Sequence, residues 1–108
     1  MSKSLKATVP RKVTLSDDHA VALADLFRLL GDPSRLRIVV ACLRKPVAVS
    51  DIADRLGLSV SLVSHHLRLL KGARLVRAER QGKQVFYGAD DEHVRRMIGD
   101  MVTHVGEH

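Results

Sequence analysis

Cysteine is nearly absent from this chain, and the scarcity removes two kinds of chemistry. Cys42 stands alone among 108 residues, so no disulfide and no redox pair can form within the chain, and a reducing cytoplasm is the simplest address. Aromatic residues are almost as rare: Phe27, Phe86 and Tyr87 are the whole complement, with no Trp. The core must therefore be built from Leu, Val, Ile and Ala. No apolar run approaches the roughly 20 residues needed to cross a bilayer, and no secretory apolar segment follows Met1. A membrane partner is not expected.

Positive charge, in contrast, is abundant. Eighteen Lys and Arg against twelve Asp and Glu give a net charge of +6, and the isoelectric point is about 10.1. Such a balance points to a polyanionic partner, nucleic acid before membrane. Part of the charge lies ahead of any acidic residue, in Lys3, Lys6, Arg11 and Lys12. Residues 1–15 lack a period and are expected to form a basic flexible arm. Residues 16–108 are expected to form one small domain.

Within that domain the punctuation predicts a mainly α chain. Ser16-Asp17-Asp18 is an N-cap cluster for a first helix that ends at Gly31. Asp32 and Pro33 restart the chain as cap and first helical residue of a second helix, which carries Leu36 to Leu43 and stops before Pro46. Val47-Ala48-Val49 is a candidate short strand. Ser50 and Asp51 open a third helix, Ile52 to Leu56, closed by Gly57. Ser59 caps a fourth, Val60 to Lys71, ended by Gly72. Two β-prone runs, Leu75 to Arg80 and Lys83 to Tyr87, flank Gln81-Gly82 as a hairpin. A last amphipathic helix spans Asp91 to Val105, its start favoured by Asp90-Asp91-Glu92.

The third helix, the Gly57-Leu58-Ser59 turn and the fourth helix make a helix-turn-helix pattern. The second helix of such a pair presents its N-terminal residues to base edges in the major groove. Here those are Val60, Ser61, Ser64, His65 and Arg68. Small hydroxyls allow close approach, and Arg68 suits phosphate or guanine. Arg77, Arg80 and Lys83 around the hairpin turn form a basic wing able to straddle the backbone. His66 is expected to pack inside, and Cys42 to be a small buried residue.

Four ligand-type side chains punctuate the last helix: Asp91, His93, His104 and Glu107. His93 and His104 are eleven positions apart, near three full turns, so they share a face. They are also about 16 Å apart along the axis at 1.5 Å per residue. Zinc holds nitrogen and oxygen ligands at about 2 Å, so one helix cannot bring both pairs to one ion. Two copies crossing antiparallel can, with Asp91 and His93 from one chain and His104 and Glu107 from the other. If the motif holds metal, the protein is a homodimer with two equivalent sites. Asp91 and His93, at i and i+2, converge only if the backbone at Asp91 is not helical.

Three segments together carry a family resemblance: Leu30-Gly31-Asp32-Pro33-Ser34-Arg35-Leu36-Arg37-Ile38, Leu62-Val63-Ser64-His65-His66-Leu67-Arg68-Leu69-Leu70 and Arg80-Gln81-Gly82-Lys83. Over about residues 18–107 the chain resembles the ArsR/SmtB family of winged-helix repressors. The resemblance implies a winged helix-turn-helix, α-α-α-α-β-β-α, with a small β-hairpin wing and a dimer through the first and last helices. It further implies a non-enzymatic repressor that binds an inverted-repeat operator in double-stranded DNA and leaves it when metal binds. Ser61, Ser64 and His65 match the family's DNA-contacting positions. Val60 departs from the Gln common there, and a thymine methyl contact replaces a hydrogen bond.

The resemblance also sorts the metal sites. A thiolate site requires a Leu-Cys-Val-Cys-Asp-like run, and this chain has Val47-Ala48-Val49-Ser50-Asp51, so both cysteine positions are empty. The last-helix site resembles D-x-H-x10-H-x2-[HE], and Asp91, His93, His104 and Glu107 fill it. Two imidazoles and two carboxylates suit tetrahedral Zn(II) first and Co(II) second. Nickel-sensing relatives are similar in recruiting terminal ligands, which makes His108 and His19 candidates for a Ni(II) site. Two alternatives share the fold: a regulator with no metal input, and a nickel-specific regulator that uses those extra histidines. A zinc hydrolase is disfavoured, since no spare carboxylate or Ser/His pair is placed as a base.

Overall fold

The fold is known from a computed structural model, which describes residues 13–107. The arm residues Lys3, Lys6, Arg11 and Lys12 lie outside the described residues, as does His108. The element order is α1 (Asp17–Leu30), α2 (Pro33–Ala41), β1 (Val47–Ala48), α3 (Val49–Leu56), α4 (Val60–Gly72), β2 (Val76–Gln81), β3 (Gln84–Ala89) and α5 (Glu92–Gly106). The expected mainly α architecture with a hairpin wing is present.

The caps form as the sequence predicts. Ser16 Oγ accepts the His19 N–H at 3.1 Å, Asp32 Oδ2 accepts the Arg35 N–H at 3.0 Å, and Ser59 Oγ accepts the Leu62 N–H at 3.1 Å. Each satisfies an N–H that the first helical turn leaves without a partner. Gly57, at φ +68°, closes α3 in the left-handed region that glycine adopts without strain.

Four details differ from the sequence reading. The short strand is only Val47–Ala48, yet it pairs antiparallel with β3, so the wing hairpin is part of a three-stranded sheet in the order β1-β3-β2. In consequence α3 starts at Val49, with Ala48 as an N-cap that makes no side-chain bond. Gly72 is the last residue of α4, as read, but the cap is Ala73 and the left-handed residue is Arg74, at φ +63°. The hairpin turn is shifted by one. Gln81 pairs with Gln84, so the two-residue loop is Gly82-Lys83, with Gly82 at φ +64°. A glycine with positive φ at the first loop position is the type II′ pattern, whose twist matches that of the strands.

The core gathers Ile38, Val39 and Cys42 from α2 and its end, Ile52 and Ala53 from α3, Val63, Leu67 and Leu70 from α4, and Leu75 and Val76 from the start of the hairpin. The outer helices contribute little. Leu30 is the one buried residue of α1, and Ile98 the one buried residue of α5. Leu26, Leu29, Val94 and Met97 pack half-buried against the core, and other apolar side chains of the two helices face outward: Val21 is 64% exposed, Phe27 53% and Val105 71%. A shallow groove lined by Leu36, Ile98, Met101, Val102 and Val105 runs between α2 and α5. The chain thus carries two apolar helix faces that its own fold leaves uncovered. Among the described residues, no helix is long and apolar enough to cross a membrane.

Candidate nucleic-acid interface and metal-ligand cluster

On α4 the two faces separate cleanly. Val63, His66, Leu67 and Leu70 are buried at i, i+3, i+4 and i+7, the spacing of one helical face. Ser61, Ser64, His65 and Arg68 repeat the same spacing on the opposite side, where all but half-buried Ser64 are exposed. Val60 stands exposed beside them at the helix start. The four polar candidates therefore project from one edge of the helix, with Val60 supplying an apolar contact at its tip.

A groove of about 300 Å³ runs from this edge to the wing, lined among others by Val60, Ser64, Ser50 and Gln84. Sequence reasoning had not assigned Ser50 and Gln84 to this surface. The sequence places Ser50 only at the opening of the third helix, and the signal available for it is that the first helix of such a pair crosses the nucleic-acid backbone. Gln84 carried no signal apart from the register that the turn sets.

The wing cations do not share one face. Side chains alternate along a strand, so Arg80 opposes Arg77 across the ribbon, and the register places Arg80 opposite Val85 but Arg77 opposite Gly88. Arg80 and Lys83 sit at or beside the turn. Arg77 lies further back on the other face, beside Glu79.

His66 is the buried polar residue of the core, and its Nδ1 has no hydrogen-bond partner among the described residues. Burial holds its imidazole below the usual histidine range, and the nearby Arg35 guanidinium acts in the same direction. Cys42 is fully buried, with Sγ 3.3 Å from the Ile38 carbonyl oxygen. Burial pushes its thiol up to about 11, so the thiolate that binds metal is not formed near neutrality. Both residues serve packing, as expected.

At the other end of the domain, Asp91 is the N-cap of α5, with extended backbone at φ −154° and ψ −179°. Its Oδ1 accepts the Val94 N–H at 3.0 Å, and its Oδ2 lies 3.8 Å from His93 Nδ1. The i, i+2 pair thus converges in the way the sequence required, through a non-helical backbone at the first residue. The Val94 N–H holds the Asp91 carboxyl below its ordinary range, and His93 adds to the effect. The imidazole of His93 is 97% exposed and points away from its own core.

His104 lies in the last turn of α5, and Glu107 is its C-cap, at φ −88° and ψ 2° in the bridge region. The two pairs occupy opposite ends of the fifteen-residue helix. Among the described residues, no three His, Cys, Asp or Glu side chains within one chain gather closely enough to hold an ion, the outcome that helix length dictates. Each end offers one imidazole and one carboxylate, a donor set that fits half of a zinc site. His19 is exposed in the first turn of α1 and borders an apolar groove with Leu15, Leu23 and Leu26.

The model of the family described as "Bacterial regulatory protein, arsR family" matches residues 32–78, from the α2 cap into β2. A transcriptional repressor SmtB homolog from a Synechocystis species is 40% identical over 93 residues, which cover 86% of this chain and 70% of that protein. The transcriptional regulator CmtR of Mycobacterium tuberculosis is 46% identical over 81 residues, covering 75% of this chain and 69% of that one. Among solved structures, the homodimeric winged helix-turn-helix DNA-binding domain of Mb0332 from Mycobacterium bovis superposes with a TM-score of 0.76 at 28% identity. That match covers 90% of this chain and 93% of the other. The names these relatives bear are those of transcriptional regulators, not enzymes.

Proposed function

The chain belongs to the ArsR family of bacterial regulatory proteins, and from that premise we propose that it is a metal-responsive transcriptional repressor. It binds an inverted-repeat operator in double-stranded DNA as a homodimer. It is released by Zn(II), or by Co(II) or Ni(II), at a site shared between the last helices of two copies. The ligands are Asp91 and His93 of one copy with His104 and Glu107 of the other. His19 and His108 are further ligands only in a nickel form.

The observation that carries this reading is the convergence of Asp91 and His93 at the α5 N-cap. Two further features support it. The outer faces of α1 and α5 are uncovered and apolar, as a dimer through those helices requires. Ala48 and Ser50 stand where the thiolate site needs cysteines, and Cys42 is buried as a thiol.

Bound zinc supplies a cross-link between two α5 helices. The protein's own residues do the rest. Asp91 and His93 hold the α5 N-terminus of one copy at a fixed separation from the α5 C-terminus of its partner, which fixes the angle between the two winged domains. Ser61, Ser64, His65 and Arg68 enter successive major grooves only at one such angle. Metal therefore weakens operator binding, and the operator weakens metal binding by the same factor, roughly 1–3 kcal/mol for a typical coupling.

Equilibrium dialysis of the full chain, paired with titration of a duplex selected from random sequence, tests the proposal. One zinc per chain is expected in the wild type, with loss in His104→Ala and a fall in operator affinity of at least tenfold on loading. Equal zinc in His104→Ala, or unchanged operator affinity on loading, sinks it. A cobalt spectrum that is tetrahedral and indifferent to removal of His108 selects zinc over nickel.

A further inference from the structure

On the far side of β1 from the recognition helix lies a cavity of about 350 Å³ lined by Val40, Ala41, Arg44, Lys45, Val47 and Arg55. Three of its six lining residues are cations, and no carboxylate lines it. Arg44 and Lys45 occupy the link from α2 to β1, and Arg55 the last turn of α3. The ion pairs formed among the described residues use Arg28, His93 and Arg95. Among the described residues, no hydrogen bond involves the Arg44, Lys45 or Arg55 side chain.

Helix dipoles account for only part of this charge. The C-terminal ends of α2 and α3 each carry roughly half a negative charge, about one unit together, against three positive side chains. The lining thus stays positive around an apolar floor of Val40, Ala41 and Val47, with the α3 carboxylates Asp51 and Asp54 outside it. A phosphate group carries about −1.5 to −2 near pH 7 and offers three strong acceptor oxygens. Two guanidiniums and one ammonium are the donors that such a group selects. The volume also falls within the range of about 300–1,000 Å³ typical of small-molecule sites.

We propose that Arg44, Lys45 and Arg55 form a binding site for the phosphate group of a small free molecule. The backbone phosphates of the operator are the other source of that chemistry, and topology argues against them. Val47 and Ala48 are consecutive strand residues, so their side chains point to opposite faces. Ala48 lines the groove with Val60 and Ser64, while Val47 lines the cationic cavity. A phosphate in the cavity is thus separated by β1 from the surface that the recognition helix offers to DNA.

The test is a titration of the metal-free full chain with inorganic pyrophosphate at constant ionic strength, read from backbone amide shifts. Saturable shifts confined to Ala41 through Val47 and the surroundings of Arg55 are expected. Affinity should fall at least tenfold in Arg44→Gln/Arg55→Gln and at least threefold in Lys45→Gln. The single change lies in an exposed link and keeps the test decisive if the double variant fails to fold. A saturating operator duplex should leave the pyrophosphate shifts in place. Shifts that are linear, or centred on Ser61 through Arg68, or unchanged affinity in Lys45→Gln, overturn the site. Displacement of pyrophosphate by the duplex, with operator affinity also lost in Lys45→Gln, assigns the cations to the DNA backbone and overturns the small-molecule reading.

Discussion

Arg95 Nε donates to the Leu43 carbonyl oxygen at 2.8 Å, tying the second turn of α5 to the residue chain that leaves α2, fifty-two positions earlier. The same guanidinium holds Glu92 at 2.7 Å, one residue from each of the candidate ligands Asp91 and His93. Arg95 thus ties the α5 N-terminus to the end of α2 beside the packing of Val94, Met97 and Ile98 on the core. Replacing Arg95 by Met should leave zinc stoichiometry intact and cost about 1 kcal/mol of stability, the worth of a partly solvated hydrogen bond. It should also shrink the ratio of operator affinities with and without zinc. Urea unfolding reads the first effect, and paired operator titrations read the second. An unchanged ratio removes Arg95 from the coupling.

Asp91 has two separable jobs, because one oxygen caps the helix while the other faces His93. Asparagine caps as well as aspartate but is a poor zinc ligand. Asp91→Asn should keep the thermal midpoint of the metal-free protein within a degree or two and weaken zinc at least tenfold. Asp91→Ala should lose the zinc and also about 1 kcal/mol of stability. Equal zinc affinity in wild type and Asp91→Asn would remove Asp91 from the ligand set.

Operator binding should divide the wing. Arg80 and Lys83 lie at or beside the turn, whereas Arg77 is on the opposite face of the ribbon. Each phosphate contact contributes about 0.9 to the slope of log affinity against log salt. Arg80→Ala and Lys83→Ala, each present twice in the dimer, should each reduce that slope by about two, and Arg77→Ala should leave it nearly unchanged. Arg68→Ala, on the exposed edge of α4, should weaken binding more than any wing substitution. Equal effects at Arg77 and Arg80 would contradict this geometry.

His66 sets a direction for stability against pH. Burial lowers its folded pKa below the ordinary 6.5, so the unfolded chain takes up a proton that the folded chain resists. The stabilisation is fully present above pH 6.5 and declines as pH falls from there towards the folded value. Asp32 acts the other way and Arg35 with burial, and both flank the ring in the variant as well. In metal-free buffer, His66→Phe should flatten the fall in urea midpoint between pH 7 and pH 5. A pH profile identical to wild type would show that His66 does not carry the slope.

Arg74 is a non-glycine residue at φ +63°, a conformation that costs such residues of order 1 kcal/mol. Arg74→Gly should therefore stabilise the domain by roughly 0.5–1 kcal/mol in urea unfolding, with no effect on zinc. A destabilised variant would mean that the arginine side chain outweighs the strain.

How much of this was legible follows from where the determining force lies. Caps are local, so Ser16, Asp32 and Ser59 could be read from residue type and position alone. The two faces of α4 were legible because helical period sorts Val63, Leu67 and Leu70 from Ser61, His65 and Arg68. The convergence of Asp91 with His93 was legible as a requirement on the backbone. Non-local choices were not. The two-residue β1 exists only because β3, forty positions later, offers it a partner. The hairpin turn moved by one because pairing of Gln81 with Gln84 competes with the local preference of Gln81-Gly82. Arg74 takes the left-handed position two residues beyond Gly72, and its residue type gives no sign of it. The cationic cavity joins residues of α2, the link and α3 that share no sequence pattern.

With a single fully buried residue in each of α1 and α5, the outward apolar faces of these helices would gain their cover from a neighbour. With a second copy as that neighbour, as proposed above, the molecule would be complete only above a certain concentration, and its own abundance would become part of what it reports. In a cell holding few copies, protomers would meet rarely and the operator would stand open without any metal. A modest rise in synthesis would close it cooperatively, since occupancy grows with the square of the free protomer. The melting temperature should therefore climb with protein concentration, a dependence that an isolated domain does not show.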